Sequence, residues 1–270
     1  MNYMYLQEGN HIVADDHPYV LIDEPMTITG AGRKKTYVKG GGFQIFGKRE
    51  DGEVILTDMT VCNAKMNGLH GLRGVHFLSF HCIRMHFDLC NNYAVVAYGG
   101  TSGRLSNCQV TRSKKSGVVV SCGDGNDGDS NSSGTYSRSN RSSSTKDGST
   151  IDIEGEETKI EMNNTRVSAK ETRTEAAAKK LGMHLSTDVH VNYVNFGLKA
   201  ATPNSSIHLV FPLTKESITA GGNYGGRNWG GSGTIQDGAR DSRKEVIARW
   251  LGVKTVDEVV SYMYSSCCRW

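Results

Sequence analysis

Four stretches of this chain carry residues whose type and spacing could do chemistry. In "GLHG", Gly68 to Gly71, a lone imidazole, His70, stands between glycines, as it would in an open active-site loop. In "GDGNDGD", from Gly123, the Gly-x-Gly-x-Asp spacing of Gly123, Gly125 and Asp127 echoes one copy of a calcium-binding nonapeptide. Such sites form between stacked copies, and there is one copy here. An EF-hand loop fails as well, because its fifth position is Gly128 and no Glu follows at the twelfth, so no metal site and no cofactor is expected. "GGNYGGRNWGGSG", from Gly221, lacks the Gly-Lys-Ser/Thr of a phosphate loop, but Tyr224 and Trp229 could stack on sugar rings or pack on the neighbouring strands. The fourth set is Arg84, His86, Asp88, Gln109 and Arg112, polar groups at alternating positions that could hydrogen-bond an extended glycan.

What must position these groups is legible in self-similarity. Setting Met59, Met85 and Cys108 in register aligns "DMTVCNAKMNGLHG", "RMHFDLCNNYAVVA" and "NCQVTRSKKSGVVV", with steps of 26 and 23 residues. Val61, Phe87 and Val110 then coincide, as do Gly68, Ala94 and Gly117, and Leu69, Val95 and Val118. Apolar residues recur with period two on both sides of a polar bend, a strand, corner, strand pattern. Units of that kind bury their apolar faces by stacking at the ~4.8 Å strand spacing, which predicts a parallel β-helix. Short strands around Val20 and Ile22, Met26 and Ile28, Val38, and Phe43 and Ile45 continue the scheme upstream. Ile151 and Ile153, Ile160, and Ile207, Leu209 and Phe211 continue it downstream.

The register also assigns faces. Asp58, Arg84 and Asn107 form one outward row, Thr60, His86 and Gln109 a second, and Cys62, Asp88 and Thr111 a third. Asp58 is expected beside Arg84, and His86 beside Asp88. No carboxylate pair falls in these rows. His70 aligns with Val96 and Val119, neighbours that cannot orient an imidazole, so it is expected to be a surface histidine on a strand.

The chain organises as N-terminal coils over 1–122, an insertion over 123–150, C-terminal coils over 151–237 and a tail over 238–270. The insertion is rich in Ser, Gly, Asp and Asn, has little to bury, and is expected to be disordered. "SAKETRTEAAAKKLG", 168–182, opens with a capping box and ends in Gly182, the pattern of a short helix. The tail holds two helical patterns, with Val246, Ile247, Trp250 and Leu251 on one face, suited to covering the open end of a solenoid.

Bulk properties narrow the classes. Among 270 residues, 32 are glycine and 4 proline, which suits many turns between short extended segments. A net charge of +3, from 31 basic and 28 acidic residues, provides no one-signed field for nucleic acid. Seven cysteines, without paired CxxC spacing among those between Cys62 and Cys122, read as reduced thiols. No apolar run is long enough to span a bilayer, and "MNYMYLQEGN" has no signal-peptide pattern, which leaves the compartment undetermined.

The blocks "EGNHIV", "PMTITGAGRKKTYVKGGGFQI", "GRLSNCQVTRSKKSGVVVS", "IEGEETKIEMN", "SSIHLVFPLTKES" and "GGNYGGRNWGGSGTI" resemble right-handed parallel β-helix repeat proteins of the pectin-lyase-like group. They are most similar to an uncharacterised, expanded microalgal set. The resemblance implies an all-β, right-handed parallel β-helix, here with a helical insertion and a helical C-terminal tail. It implies no activity. Lyases of the group hold calcium with carboxylates and use a basic residue as the base, and hydrolases use paired carboxylates. Neither set, nor the hydrolases' paired-aspartate or Gly-His-Gly motif, is found here. The expectation is a non-catalytic scaffold presenting Arg84, His86, Asp88, Gln109 and Arg112 to a polysaccharide or other glycan. The alternatives are a polysaccharide lyase, hydrolase or epimerase, and a structural or protein-interaction repeat. Oligomeric state is left open.

Overall fold

A computed structural model describes residues 2–14, 16–47, 51–72, 78–122, 148–163, 196–223 and 226–239. The strands come in triplets. The first turn is β1 (Asn2–Leu6), β2 (Gly9–Ile12) and β3 (Tyr19–Ile22); the second is β4 (Met26–Gly30), β5 (Thr36–Lys39) and β6 (Gly42–Phe46). The third is β7 (Gly52–Thr57), β8 (Thr60–Cys62) and β9 (Leu69–Leu72), and the fourth β10 (Leu78–Ile83), β11 (His86–Asp88) and β12 (Val95–Tyr98). Then follow β13 (Ser102–Ser106), β14 (Gln109–Thr111) and β15 (Val118–Ser121), and β16 (Thr150–Glu154), β17 (Lys159–Glu161) and β18 (Leu198–Ala200). A last turn has β19 (Ser206–Val210), a short helix α1 (Lys215–Ile218) where a strand would fall and β20 (Trp229–Gly231), and β21 (Thr234–Ala239) opens a further one.

Every pairing is parallel and joins one turn to the next, giving a β-solenoid of about six turns with three sheets. Sheet A has eight strands from β1 to β21, sheet B six from β2 to β17, and sheet C seven from β3 to β20. Alternation sends every second side chain inward. On sheet A, Ile28, Leu56, Cys82, Leu105, Ile153 and Leu209 form one continuous inward row. Val38, Val61, Phe87, Val110 and Ile160 do so on sheet B. All of these are buried, each large aliphatic contributing about 1.5–3 kcal/mol. Phe80 fills space left by a missing side chain: a Cβ on Gly103 would lie 2.1 Å from its Cζ.

Single left-handed residues mark most of the corners. Between sheets A and B the chain turns at Asp58, Arg84 and Asn107, and after sheet B at Asn63, Leu89, Arg112 and Met162, all with φ between 49° and 59°. Asp58, Arg84 and Asn107 are therefore corner residues rather than rungs of a flat ladder. The second and sixth turns depart from this pattern, because Ala31 to Lys35 form a longer loop between β4 and β5 and Gly155 to Thr158 one between β16 and β17.

Phe211 corrects the downstream reading: β19 ends at Val210, and Phe211 is 76% exposed rather than inward. Ser149 is buried and Thr150 opens β16, at the end of the stretch assigned to the insertion. The rest of that insertion through 147, the helix expected over 168–182 and the tail from 240 lie outside the described residues, and Gly238 and Ala239 belong to β21. No helix among the described residues is long and apolar enough to cross a membrane.

Candidate functional site

The three-residue strands of sheet B place His86, Asp88 and Gln109 on one outer face, His86 in register with Thr60 and Gln109, and Asp88 with Cys62 and Thr111. These residues line an open cleft of about 570 Å³ with Arg33, Lys34, Tyr37, Lys39, Thr60, Cys62 and Asn63. Arg84 and Arg112, both at left-handed corners, do not line it. Arg84 folds back on Asp58, its Nε and Nη2 donating to the two carboxylate oxygens at 2.6 and 2.5 Å. That contact holds the Asp58 carboxyl below its ordinary pKa. Arg112 grips Asp88 in the same two-pronged way, with Nε to Oδ1 at 2.8 Å and Nη2 to Oδ2.

Asp88 also accepts from Thr111 Oγ1 at 2.8 Å, and His86 Nε2 lies 2.9 Å from that same oxygen. A carboxylate can only accept, so the hydroxyl proton points at Asp88 and His86 Nε2 is the donor to Thr111. The result is a directed chain from His86 through Thr111 to Asp88 and Arg112. Burial pulls the His86 pKa down. For Asp88 burial acts upward, but the bonds from Arg112 and Thr111 leave its carboxyl below the ordinary value. Cys62 is a poor nucleophile, since burial raises its thiol pKa.

The cations of this cleft were not among the residues read from the sequence. The loop carrying "GRKK", Gly32 to Lys35, lies along the corner of sheet B, where Thr60 Oγ1 donates to the Arg33 carbonyl at 2.5 Å. The Arg33 guanidinium reaches Asn107 O at 3.1 Å and Glu157 at 2.8 Å, spanning the corners of the third to fifth turns. Lys34 and Lys39 make no ion pair among the described residues, and Lys39 Nζ sits 5.5 Å from the Tyr37 ring centre. The available signal was the run of three cations in a turn longer than those after it.

Sheet A carries a second polar face that the sequence rows did not include. His81 Nε2 lies 2.7 Å from Ser106 Oγ, and Ser106 donates to Glu154 at 2.5 Å. Arg104 stands between Glu154 at 3.5 Å and Asp152 at 3.8 Å, and His208 Nδ1 bonds Asp152 at 3.0 Å. The Asp152 bond raises the His208 pKa, whereas burial lowers that of His81. A shallower groove of about 370 Å³ beside them is lined by Glu53, Ser79, Phe80, Ser102, Gly103, Arg104 and Asp152. Since Ile151 and Ile153 face inward, period two already put Asp152 and Glu154 outside.

His70 has the neighbour expected, Val96, but is not a solvated surface histidine. Its ring lies 5.8 Å from that of Tyr19 and 5.6 Å from that of Tyr98, and neither ring nitrogen has a partner among the described residues. Burial pushes its pKa down to about 4. Val96, Tyr98 and Val119 form a small cluster on the outside of sheet C, which is why this outward position is dry.

At the far end Trp229, in β20, has Lys215 Nζ 5.8 Å from its ring centre; Tyr224 and the Gly123 motif lie outside the described residues. Among the described residues no group of three His, Cys, Asp or Glu side chains comes together to hold a metal ion. Compared with protein-family models, curated proteins and solved structures, the chain matches none.

Proposed function

We propose that this chain is a right-handed β-helix scaffold that binds an extended carbohydrate without cleaving it, through the outer face of sheet B. The observation that carries the reading is the open cleft in which Lys34, Lys39, Tyr37, His86 and Gln109 meet. Donors without carboxylate partners favour hydroxyl-rich and acidic sugars, and Tyr37 offers a ring for a pyranose face. The one carboxylate in the lining, Asp88, is held by Arg112 and Thr111, which leaves it as a structural acceptor rather than a general acid. Arg84 and Arg112 then act by fixing the cleft edges, and His86 and Gln109 by touching ligand. The resemblance to pectin-lyase-like proteins supports a glycan as the ligand class and adds no catalytic group.

Titration of neutral and acidic oligosaccharides by calorimetry tests this. Lys39→Ala is expected to weaken an acidic glycan about tenfold, the loss of one charge-assisted contact, and high salt to do the same to the native protein. Neither unsaturated uronate absorbance nor new reducing ends should appear. Product formation lost in Asp88→Ala would establish the enzymatic alternative instead.

A further inference from the structure

The two nitrogens of the His86 ring stand in different situations. Nε2 bonds Thr111 Oγ1 at 2.9 Å, whereas Nδ1 has no partner among the described residues. Nor is Nδ1 enclosed, since the buried side-chain polar atoms without a partner among these residues belong to His70 and Ser113. His86 lines the sheet B cleft, so its open nitrogen borders the space a ligand would enter. The tautomer is fixed from the other end. Thr111 gives its hydroxyl proton to Asp88, which Arg112 holds as a carboxylate, so Nε2 bears the hydrogen and Nδ1 the lone pair. A proton taken up by this ring can therefore go only to Nδ1, and the bond to Thr111 survives it.

The titratable and charged groups around His86 are Cys62 of β8, Tyr37 and Lys39 of β5, Arg33 and Lys34 of the loop before β5, Asp88 on its own strand and Arg112 at the next corner; β14 adds the uncharged Gln109. Burial is the largest influence and opposes the imidazolium, Arg112 and Arg33 oppose it as well, and Asp88 favours it. Histidine is the residue type in this lining that changes charge near neutrality. We propose that His86 is the specificity-determining residue of the cleft, a ligand contact whose Nδ1 accepts from a glycan hydroxyl near neutral pH and donates to an anionic group of the glycan in acid. The inference rests on the glycan reading of sheet B. A sugar hydroxyl can donate or accept, so a neutral glycan loses little when Nδ1 gains its proton. A sulfate or carboxylate oxygen can only accept, so the lone pair on Nδ1 repels it until the ring is protonated and joins Lys34 and Lys39 as a further cation. Acidification therefore widens the preference for acidic over neutral glycans.

Calorimetry on the full chain with cellotetraose and its sulfated form tests this, because a sulfate ester keeps its charge throughout the range. From about pH 8 to about pH 5 the sulfated ligand is expected to tighten about fivefold to tenfold, the gain of one charge-assisted contact, and the unsulfated one to change less than about twofold. Binding of the sulfated form near about pH 6 should take up a proton, read from the dependence of the heat on buffer ionisation. His86→Gln, which cannot titrate, should bind it without proton uptake and with equal affinity at the two pH values. A flat pH profile in the native protein, or a pH dependence kept in His86→Gln, would overturn this inference while leaving glycan binding in place. Failure of both ligands to bind at either pH would remove the glycan reading and this one with it. The ligand-free native protein gives a check that needs no variant: long-range proton–nitrogen NMR should find the neutral His86 ring protonated on Nε2. A ring protonated on Nδ1 would overturn the assignment.

Discussion

On sheet B the groups His86, Thr111, Asp88 and Arg112 run from imidazole through hydroxyl and carboxylate to guanidinium; on sheet A, His81, Ser106, Glu154 and Arg104 run in the same order. The bonded chains are alike, and their surroundings are not. On sheet A, Arg104 is shared with a second carboxylate, Asp152, which has its own histidine, so donors and acceptors are used up within the face. On sheet B, Arg112 serves Asp88, and the adjoining cleft contributes Lys34 and Lys39, which make no ion pair among the described residues. A satisfied network stiffens a surface, whereas spare donors next to one can recognise a ligand. The comparison makes sheet A the stiffer face and leaves sheet B, under the proposed function, as the one that meets a ligand.

The largest expected effect tests that assignment through the two arginines. Arg104 has a side chain 14% exposed and keeps two carboxylates company, while Arg112 is 49% exposed and keeps one. Arg104→Leu leaves Glu154 without its cation and Asp152 with His208 alone, and is expected to cost about 3 kcal/mol. Arg112→Leu, screened by solvent and with Thr111 still donating to Asp88, should cost about 1 kcal/mol. Urea midpoints at neutral pH measure both. Equal losses would break the comparison.

Next in size is the contrast between partnered imidazoles and the orphan on sheet C. His70 has a folded pKa of about 4 against 6.5 for the ordinary group. A lowered value means that the unfolded chain binds the proton more readily. Its contribution is therefore complete above 6.5, is lost as pH falls toward 4, and is flat below. The whole shift corresponds to about 3 kcal/mol. His70→Phe, which keeps a ring between Tyr19 and Tyr98, should remove that part of the acid sensitivity. An unchanged acid limb in stability against pH would show that His70 finds a proton acceptor.

Smaller differences of opposite sign separate the relay histidines. His208 is raised by Asp152, so its contribution is full below the ordinary histidine value and lost as pH rises through its folded pKa. His86 is lowered by burial, so its contribution is full at alkaline pH and lost on acidification. His208→Gln should therefore cost more stability at about pH 5 than at about pH 8.5, and His86→Gln the reverse. Denaturation of both variants at the two pH values checks the signs.

The ladder was legible because inward residues repeat. Aligning Met59, Met85 and Cys108 placed His86 beside Gln109 and Asp88 beside Thr111, as the strands do. The same alignment treated Arg84 as a ladder rung, because period two does not register a backbone that turns in one left-handed residue. Asp152 and Glu154 were outward by the same rule, but their neighbours His81 and Arg104 belong to sheet A strands outside the aligned blocks. Arg33 meets Asn107 and Glu157 at separations of 74 and 124 residues, through a loop that breaks the repeat. The dryness of His70 depends on Tyr19 and Tyr98, brought to it by two different turns. Backbone periodicity predicts rows; it does not predict where long side chains reach across them.

The smallest expected change concerns the Arg33 loop, and its sign discriminates best. The Glu157 side chain is 65% exposed, so its ion pair with Arg33 contributes less than about 1 kcal/mol. Glu157→Ala leaves the loop anchored by Arg33 to the Asn107 carbonyl and by Thr60 to the Arg33 carbonyl, and stability should barely move. Binding should move in the opposite direction from most substitutions. Removing this carboxylate frees a guanidinium at the rim of a cleft already carrying Lys34 and Lys39. Affinity for an acidic glycan is then expected to rise about twofold to threefold at low salt, with the gain erased near 1 M salt where screening acts within ~3 Å. Asp152→Ala on sheet A removes a carboxylate of the same charge from the other face and should leave affinity unchanged. A gain from Asp152→Ala equal to that from Glu157→Ala would mean that net charge, and not the sheet B face, governs binding.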